Sequence, residues 1–292
     1  MKKNLLLIIL TAALFACSNN NEQADAFGNF EANPVIVSSE VSGQILKLNI
    51  EKGQSVNAGF VAAMIDTVQT ALKIKQIDAQ KKTVITRRQT IQAQIAVYKE
   101  QIKTLQINKN RIVKMLEDGA STQKQFDDIS GNIEVIEKQI VSTRTQFAAI
   151  NTELEVLEVQ KATTLDLLRR GTVIAPVNGT ILETYVEQEE LAIPGKPLFK
   201  IADLKELILK VYISGAQLPE VKIGQEINVA IDKSETENLT LKGTVTWISS
   251  EAEFTPKIIQ TKEERVKLVY AVKVAVKNNG TLKIGMPGEV RW

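Results

Sequence analysis

The side chains that most often perform catalysis are nearly absent from this sequence. Its 292 residues contain no histidine and a single cysteine, Cys17. Histidine-dependent triads, a Cys–His nucleophile and an intramolecular disulfide are therefore excluded, and most metal centres lose their preferred ligands. We expect a protein that is not an enzyme and that carries no cofactor and no metal.

Cys17 ends an N-terminal segment with the features of a secretion signal. The segment "MKKNLLLIILTAALFAC" has two lysines, an apolar run from Leu5 to Ala16, and then the cysteine. The run is too short to span a membrane. "LFAC" resembles a bacterial lipobox, which implies lipid attachment at Cys17; the alternative is ordinary signal cleavage beside an incidental cysteine. We predict a signal peptide over 1–17 and a polar tether over 18–33.

The segment "RIVKMLEDGASTQKQFDDI" (111–129) interrupts a long stretch without proline. Gly119 suits the position just after a helix end, because glycine tolerates positive φ. Thr122 and Gln125 have the spacing of a capping box, which starts a helix. The sequence therefore predicts that one helix ends at Asp118 and that another begins after Thr122.

Proline and glycine confine the helical part to residues 66–170. All seven prolines lie at position 34 or at 176 and beyond, and only Gly119 and Gly131 occur between Asp66 and Arg170. Apolar residues recur every seven positions on both sides of the turn. One seam of the first arm consists of Ile77, Val84, Ile91, Tyr98, Leu105 and Ile112, and one seam of the second of Ile133, Ile140, Phe147, Leu154, Lys161 and Leu168.

Sustained heptads of this kind predict a left-handed coiled coil. The arms have nearly equal lengths and a short connection, which favours an intramolecular antiparallel hairpin about 65–75 Å long at 1.5 Å per residue. A coiled coil that dimerises is the alternative. The cations that interrupt the seams can snorkel or face another protomer; they are Lys81, Arg88, Lys109 and Lys161.

Charge divides the two arms. Residues 71–116 carry eleven Lys/Arg against two Asp/Glu, whereas residues 123–168 carry four against eight. A basic helix of this kind can bind nucleic acid, but the export signal and the neighbouring acidic arm argue against it. Two possibilities stay open: the arms complement each other within one hairpin, or the basic arm of one copy lies beside the acidic arm of the next in a ring.

The segments that flank the helices repeat each other. "VSGQILKLNIEKGQSVNAGFVAAMI" (41–65) and "VNGTILETYVEQEELAIPGKPLFKI" (177–201) share seven identical residues at a constant offset of 136. Each half predicts strand, tight turn and strand, and neither half can bury its apolar face alone. We therefore predict one β-domain split into 34–65 and 171–203, with a coiled-coil hairpin over 66–170 inserted between its halves.

The remaining segment, 204–292, has short strand patterns and turns that suit a small β-barrel. The predicted fold is therefore α+β: a long antiparallel coiled-coil hairpin between two halves of a β-domain, followed by a small β-barrel domain. The halves resemble the biotinyl/lipoyl fold. In carriers of that fold a lysine at the hairpin between the halves bears the cofactor, and here the inserted helices replace that hairpin, so a carrier subunit is the less favoured alternative.

The tip carries a second resemblance, to periplasmic adaptor proteins (HlyD-like membrane fusion proteins). Their tip motif has Arg, then Leu four residues on, then Ser seven further, and Arg111, Met115 and Thr122 occupy those positions, with Gly119 in the turn. Met for Leu keeps apolar bulk, and Thr for Ser keeps the hydroxyl. Arg111 as a solvated charge and Thr122 as a simple cap are the alternative roles.

The resemblance implies specific partners. Adaptors of this family dock on a TolC-type outer-membrane protein and assemble as hexamers in the complex. The segment 254–290, which ends in "GMPGEV", resembles the barrel of adaptors linked to ABC transporters. We therefore expect an inner-membrane ABC permease and ATPase as partner, with an RND pump as alternative. The expected location is the periplasm, with a lipid anchor at the inner membrane of a Gram-negative bacterium. A free-standing coiled-coil envelope scaffold is the remaining alternative.

We predict that Cys17→Ala releases the protein from the membrane into the soluble periplasmic fraction, because the substitution removes the only residue that the lipobox offers for lipidation. Fractionation followed by mass measurement of the N-terminal peptide checks this prediction. A wild-type protein that is already soluble and begins at another residue would contradict it.

Overall fold

The structure is a computed structural model of the chain, and it describes residues 24–234, 237–254 and 268–292. The predicted signal peptide, the predicted lipid-attachment residue Cys17 and part of the 254–290 segment lie outside these residues.

Two four-stranded sheets form a β-sandwich from the repeated segments. One sheet has the order β2-β9-β7-β4 and the other β6-β5-β3-β8. The first half supplies β2 (Val35–Ser38), β3 (Gly43–Leu48), β4 (Ser55–Val56) and β5 (Val61–Ile65). The second half supplies β6 (Thr172–Ile174), β7 (Gly179–Thr184), β8 (Leu191–Ala192) and β9 (Pro197–Ala202).

The hydrogen bonds between the halves repeat at the predicted offset of 136. The Gly53 N–H donates to the Ile181 carbonyl at 2.8 Å, and the Glu189 N–H donates to the Ile45 carbonyl at 2.8 Å. Ile45 and Ile181 are both fully buried. Each half thus completes the hydrogen bonds and the core of the other, as expected of segments that cannot fold alone.

The inserted hairpin consists of two α-helices of nearly equal length. Helix α1 (Val68–Glu117) has 50 residues and α2 (Gln123–Arg170) has 48, so each is about 70–75 Å long at 1.5 Å per residue. The helices pack along the predicted seams. The most buried seam residues are Ile77, Val84, Ile129, Ile133, Ile140, Thr143, Ile150 and Leu157. The predicted hairpin between two β-halves is therefore confirmed.

The remaining strands form a barrel. They are β1 (Ala26–Glu31), β10 (Glu206–Ser214), β11 (Glu226–Asp232), β12 (Asn238–Ile248), β13 (Glu253–Phe254), β14 (Leu268–Lys277) and β15 (Pro287–Arg291). Their order is β10-β1-β15-β11-β12-β14, and β14 pairs back to β10, which closes the barrel; β13 extends the sheet beside β14. Phe30, Leu209, Val229 and Val274 are fully buried at its centre.

Strand β1 lies within the segment predicted as a tether over 18–33. Residues 26–31 of that segment pair with β10 and β15 instead. Ala26 and Phe30 project into the barrel core, and their burial stabilises the strand. The local sequence is short and has polar flanks, so it does not by itself indicate a strand. The barrel is thus built from both ends of the described chain.

We predict that Gly28→Ala destabilises the barrel by about 1–3 kcal/mol. A Cβ at position 28 would lie 1.8 Å from the Lys210 carbonyl oxygen of β10, and backbone cannot move aside as a side chain can. Both tryptophans, Trp247 and Trp292, lie in or beside the barrel, so tryptophan fluorescence during urea denaturation reports the loss.

Gly131→Ala is the matched control for this substitution. A Cβ at position 131, near the start of α2, meets no atom of another element within 4 Å. Because alanine favours a helix over glycine by about 1 kcal/mol, the helical signal should survive to higher urea while the fluorescence midpoint stays constant. An unchanged fluorescence midpoint in Gly28→Ala would contradict the close-approach argument.

Candidate functional site: the tip of the helical hairpin

The tip is a short turn in which both helix ends are capped. Gly119 has φ +71°, in the left-handed region. The Ala120 N–H donates to the Met115 carbonyl at 2.7 Å, and the Gly119 N–H donates to the Leu116 carbonyl at 3.1 Å. These two bonds form a Schellman motif, which requires positive φ at Gly119.

The capping box predicted at Thr122 and Gln125 is present. The Gln125 N–H donates to Thr122 Oγ1 at 3.4 Å, and the Thr122 N–H donates to Gln125 Oε1 at 3.0 Å. Ser121 Oγ also donates to Gln125 Oε1, at 2.7 Å. The Thr122 hydroxyl is thus used by the cap, and the hydrogen bond from Ser121 is a contact that the sequence pattern did not predict.

Arg111 and Met115 form the free side-chain surface below the turn. They are four residues apart, so they share one face of α1. Both are exposed, Met115 to 41%. Arg111 Nη1 donates one long hydrogen bond, to Asn108 Oδ1 at 3.5 Å. The described residues therefore offer the guanidinium no carboxylate, and its donors stay available to a partner.

A cation–π contact joins the two helices near the tip. Lys109 Nζ lies over the Phe126 ring, 4.9 Å from its centre. Contacts of this kind are favourable because a cation is attracted to the face of an aromatic ring. The heptad pattern places Lys109 in a seam but does not identify its partner, because the pairing depends on the register between the two arms.

Three of the four seam cations contact the opposite arm. Lys161 Nζ lies 2.7 Å from Asp78 Oδ1, Lys81 pairs with Glu158, and Lys109 packs on Phe126. Arg87, outside the seams, pairs with Glu153. Charge complementarity within one hairpin is therefore real but local. Several cations of α1 have no carboxylate partner among the described residues: Lys75, Lys82, Lys99, Arg111 and Lys114.

A cluster of ion pairs lies at the root of the hairpin, where α2 meets the sandwich. Arg170, the last residue of α2, donates to Asp166 Oδ2 at 2.6 Å and pairs with Glu40 in the β2–β3 turn. Hydrogen bonds from Arg170 and then Arg169 hold the pKa of Asp166 below its usual value. The carboxylate therefore stays ionised through the neutral range, and the pairing weakens only in acid as the pH falls through this lowered pKa.

The geometry thus combines an anchored root, a stiff pair of helices and a tip whose exposed chemistry comes from Arg111 and Met115. Such a surface can recognise a partner through guanidinium hydrogen bonds and an apolar contact. No helix in the described part of the chain has the length and apolar character to cross a membrane.

Comparisons with known proteins agree with this architecture. Residues 33–204 match the family model "RND MFP, barrel-sandwich hybrid domain", and residues 203–292 match "LcnD-like, C-terminal domain". A UPF0194 membrane protein of Yersinia enterocolitica is 22% identical, covering 100% of this chain and 98% of that protein. A UPF0194 membrane protein of Acidithiobacillus ferridurans is 32% identical, but over only 39% of this chain and 33% of that protein.

Two solved structures share the fold. MacA from Actinobacillus actinomycetemcomitans has a TM-score of 0.62 at 21% identity, covering 91% of this chain and 76% of that one. The membrane fusion protein Spr0693 from Streptococcus pneumoniae R6 has a TM-score of 0.51 at 17% identity, covering 91% and 97%. Because the barrel-sandwich hybrid model spans residues 33–204 of the 292-residue chain, the chain belongs to the membrane fusion protein (MFP) family of adaptors.

Proposed function

We propose that this protein is a lipid-anchored periplasmic adaptor that links an inner-membrane ABC transporter to a TolC-type outer-membrane duct. The observation that carries the proposal is a hairpin about 70–75 Å long that is rooted in the sandwich and ends in an exposed tip with Arg111 and Met115. A projection of this length suits a protein that must reach a partner far from its own domain.

The duct-docking residues are Arg111, Met115, Gly119 and Thr122. Gly119 and Thr122 shape the turn, since their contacts are the Schellman motif and the capping box. Arg111 and Met115 make the contact itself, with the guanidinium bonding carbonyls or carboxylates at the duct entrance. This division of roles follows from the internal hydrogen bonds of the turn, which leave Arg111 without a carboxylate partner.

The lipid anchor is proposed at Cys17. Strand β1 begins at Ala26, and nine residues span at most about 30 Å. The barrel would then lie within about 30 Å of the bilayer that holds the lipid, next to an inner-membrane transporter. The resemblance of the 254–290 segment to ABC-linked adaptors favours an ABC permease over an RND pump.

Self-association as a ring, most simply a hexamer, belongs to the proposal. The cations of α1 that lack carboxylate partners in their own hairpin are available to the acidic α2 of a neighbour. Each exposed ion pair contributes only about 0–1 kcal/mol. The ring should therefore be weak in isolation, sensitive to salt and stabilised by the transporter and the duct.

We predict that Arg111→Asp abolishes export while the protein level, membrane attachment and melting temperature stay normal. Because Arg111 is exposed, its substitution should lower the free energy of unfolding by no more than about 0.5 kcal/mol. The substitution removes the guanidinium from the docking contact and adds charge repulsion there. Two measurements check this: the yield of duct protein cross-linked to the tip, and the growth of cells exposed to toxic compounds that inhibit the deletion strain.

Lys138→Asp is the matched control. Lys138 is an exposed cation of α2, so it is not among the α1 cations proposed to contact a neighbour, and the same charge reversal occurs there sixteen residues from Thr122. It should leave duct cross-linking and growth intact. Normal export by a correctly folded Arg111→Asp protein would remove Arg111 from the docking site.

A further inference from the structure

Glu189 adopts a backbone conformation that side chains avoid. Its φ is +73°, and it is the one non-glycine residue with positive φ in the described part of the chain. For an L-residue this conformation brings the Cβ too close to the following carbonyl and costs folding stability. Glutamate, unlike asparagine or aspartate, is not a residue that commonly adopts it.

The internal repeat shows that the fold does not need a side chain at this position. The equivalent residue of the first half, 136 positions earlier, is Gly53, with φ +87°. Both residues donate the same hydrogen bond to the opposite half, at 2.8 Å. A glycine would therefore satisfy the backbone geometry at position 189 without strain. A glutamate at this position therefore costs folding stability that a glycine would not.

The carboxylate of Glu189 has no hydrogen-bond or ion-pair partner in the described part of the sandwich. The backbone carbonyl of Glu189 accepts from Gln44 Nε2 at 3.1 Å, and the neighbouring Glu190 pairs with Lys196 at 3.0 Å. Glu187 and Glu189 are exposed, and among the described residues neither carboxylate has a hydrogen-bond or ion-pair partner.

Exposed leucines flank these carboxylates. Leu191 is 61% exposed and Leu46 is 46% exposed. The pairing of Gln44 with Leu191, and of Ile45 with Glu189, places both leucines beside the turn. We call the surface formed by Leu46, Glu187, Glu189 and Leu191 the acidic patch. Its combination of negative charge and apolar area fits a partner surface with cations next to apolar side chains.

A surface of that complementary kind exists on the same chain. Val68, Leu72, Lys75 and Lys82 lie on one face of α1, because their spacings of four, three and seven residues follow the helical repeat. Val68 and Leu72 are 58% and 50% exposed. Neither lysine has an ion-pair partner among the described residues. We call these four residues the basic stripe.

We propose that the acidic patch of one copy docks on the basic stripe of a second copy, and that Glu189 is retained for this contact. The proposal rests on the proposed ring and names its surfaces. Because the two surfaces differ, each copy has one of each to offer, and the contact can repeat from copy to copy. The leucines contribute burial, and Glu187 and Glu189 of one copy face Lys75 and Lys82 of the next.

The strain is tested separately from the contact. Glu189→Gly should raise the melting temperature by about 2–4 °C, because glycine adopts positive φ freely. Gly53→Glu is the matched control, since it introduces the same strain in the other half without creating the patch, and it should lower the melting temperature by a similar amount. A Glu189→Gly protein that melts at or below the wild-type temperature would overturn the argument that the glutamate is kept at a cost.

The contact is tested in cells that express two differently tagged full-length chains, one with Leu191→Cys and the other with Leu72→Cys. A disulfide-linked product that carries both tags, and that disappears when either introduced cysteine is omitted, is expected only if patch and stripe meet in different copies. Adding Glu189→Lys should reduce this product about tenfold, and adding Lys75→Glu to the other chain should restore it. Gly53→Glu should leave the product unchanged.

The outcomes separate this proposal from the duct-docking proposal. Disulfide formation between copies does not depend on the tip, so it should persist in an Arg111→Asp background. No disulfide between the tagged chains, or a loss in Glu189→Lys that Lys75→Glu fails to restore, overturns the patch–stripe contact whatever the export result.

Discussion

The architecture depends on one closure, the backbone contact that joins the two ends of the inserted hairpin. The Ile65 N–H donates to the Gly171 carbonyl at 2.8 Å, across the two ends of the insertion. A Cβ at Gly171 would lie 2.3 Å from Thr67 Cγ2, so a larger residue at this position would require the Thr67 side chain to move. Helix α1 begins at this point and α2 ends there, and one short turn joins their other ends. The two helices must therefore be antiparallel and of nearly equal length.

The closure also explains how an insertion of this size leaves the sandwich intact. The two halves exchange equivalent hydrogen bonds and bury Ile45 and Ile181 against each other, so the β-domain does not depend on what the hairpin does. At the root, Arg170 connects Asp166 of α2 to Glu40 of the sandwich. The hairpin is therefore connected to the sandwich by these ion pairs as well as by the backbone hydrogen bond between Ile65 and Gly171.

Much of this architecture was predictable because it rests on periodic patterns. The heptads predicted the seams, the repeat at an offset of 136 predicted the split β-domain, and Thr122 with Gln125 predicted the cap. The extent of strand β1 was not predicted, because its stability comes from burying Ala26 and Phe30 in a barrel made of distant segments. The Lys109–Phe126 contact depends on the register between the arms, which no local pattern specifies. The hydrogen bond from Ser121 to Gln125 is local, but it depends on the backbone conformation of the turn. The strain at Glu189 could have been suspected from its alignment with Gly53, yet the sequence alone does not give the φ of either residue.

The capping of the tip limits what a partner can recognise there. The backbone N–H groups of Gly119, Ala120, Thr122 and Gln125 all donate within the turn. A partner that competed for them would have to break the caps, and losing a cap destabilises a helix by about 1 kcal/mol. A partner at the tip would therefore have to contact side chains outside the cap network. Arg111 and Met115 meet this condition and share one face, whereas the Thr122 hydroxyl is already used by the cap. The position that matches the family motif most faithfully, arginine, is thus also the one whose donors the hairpin leaves free for a partner.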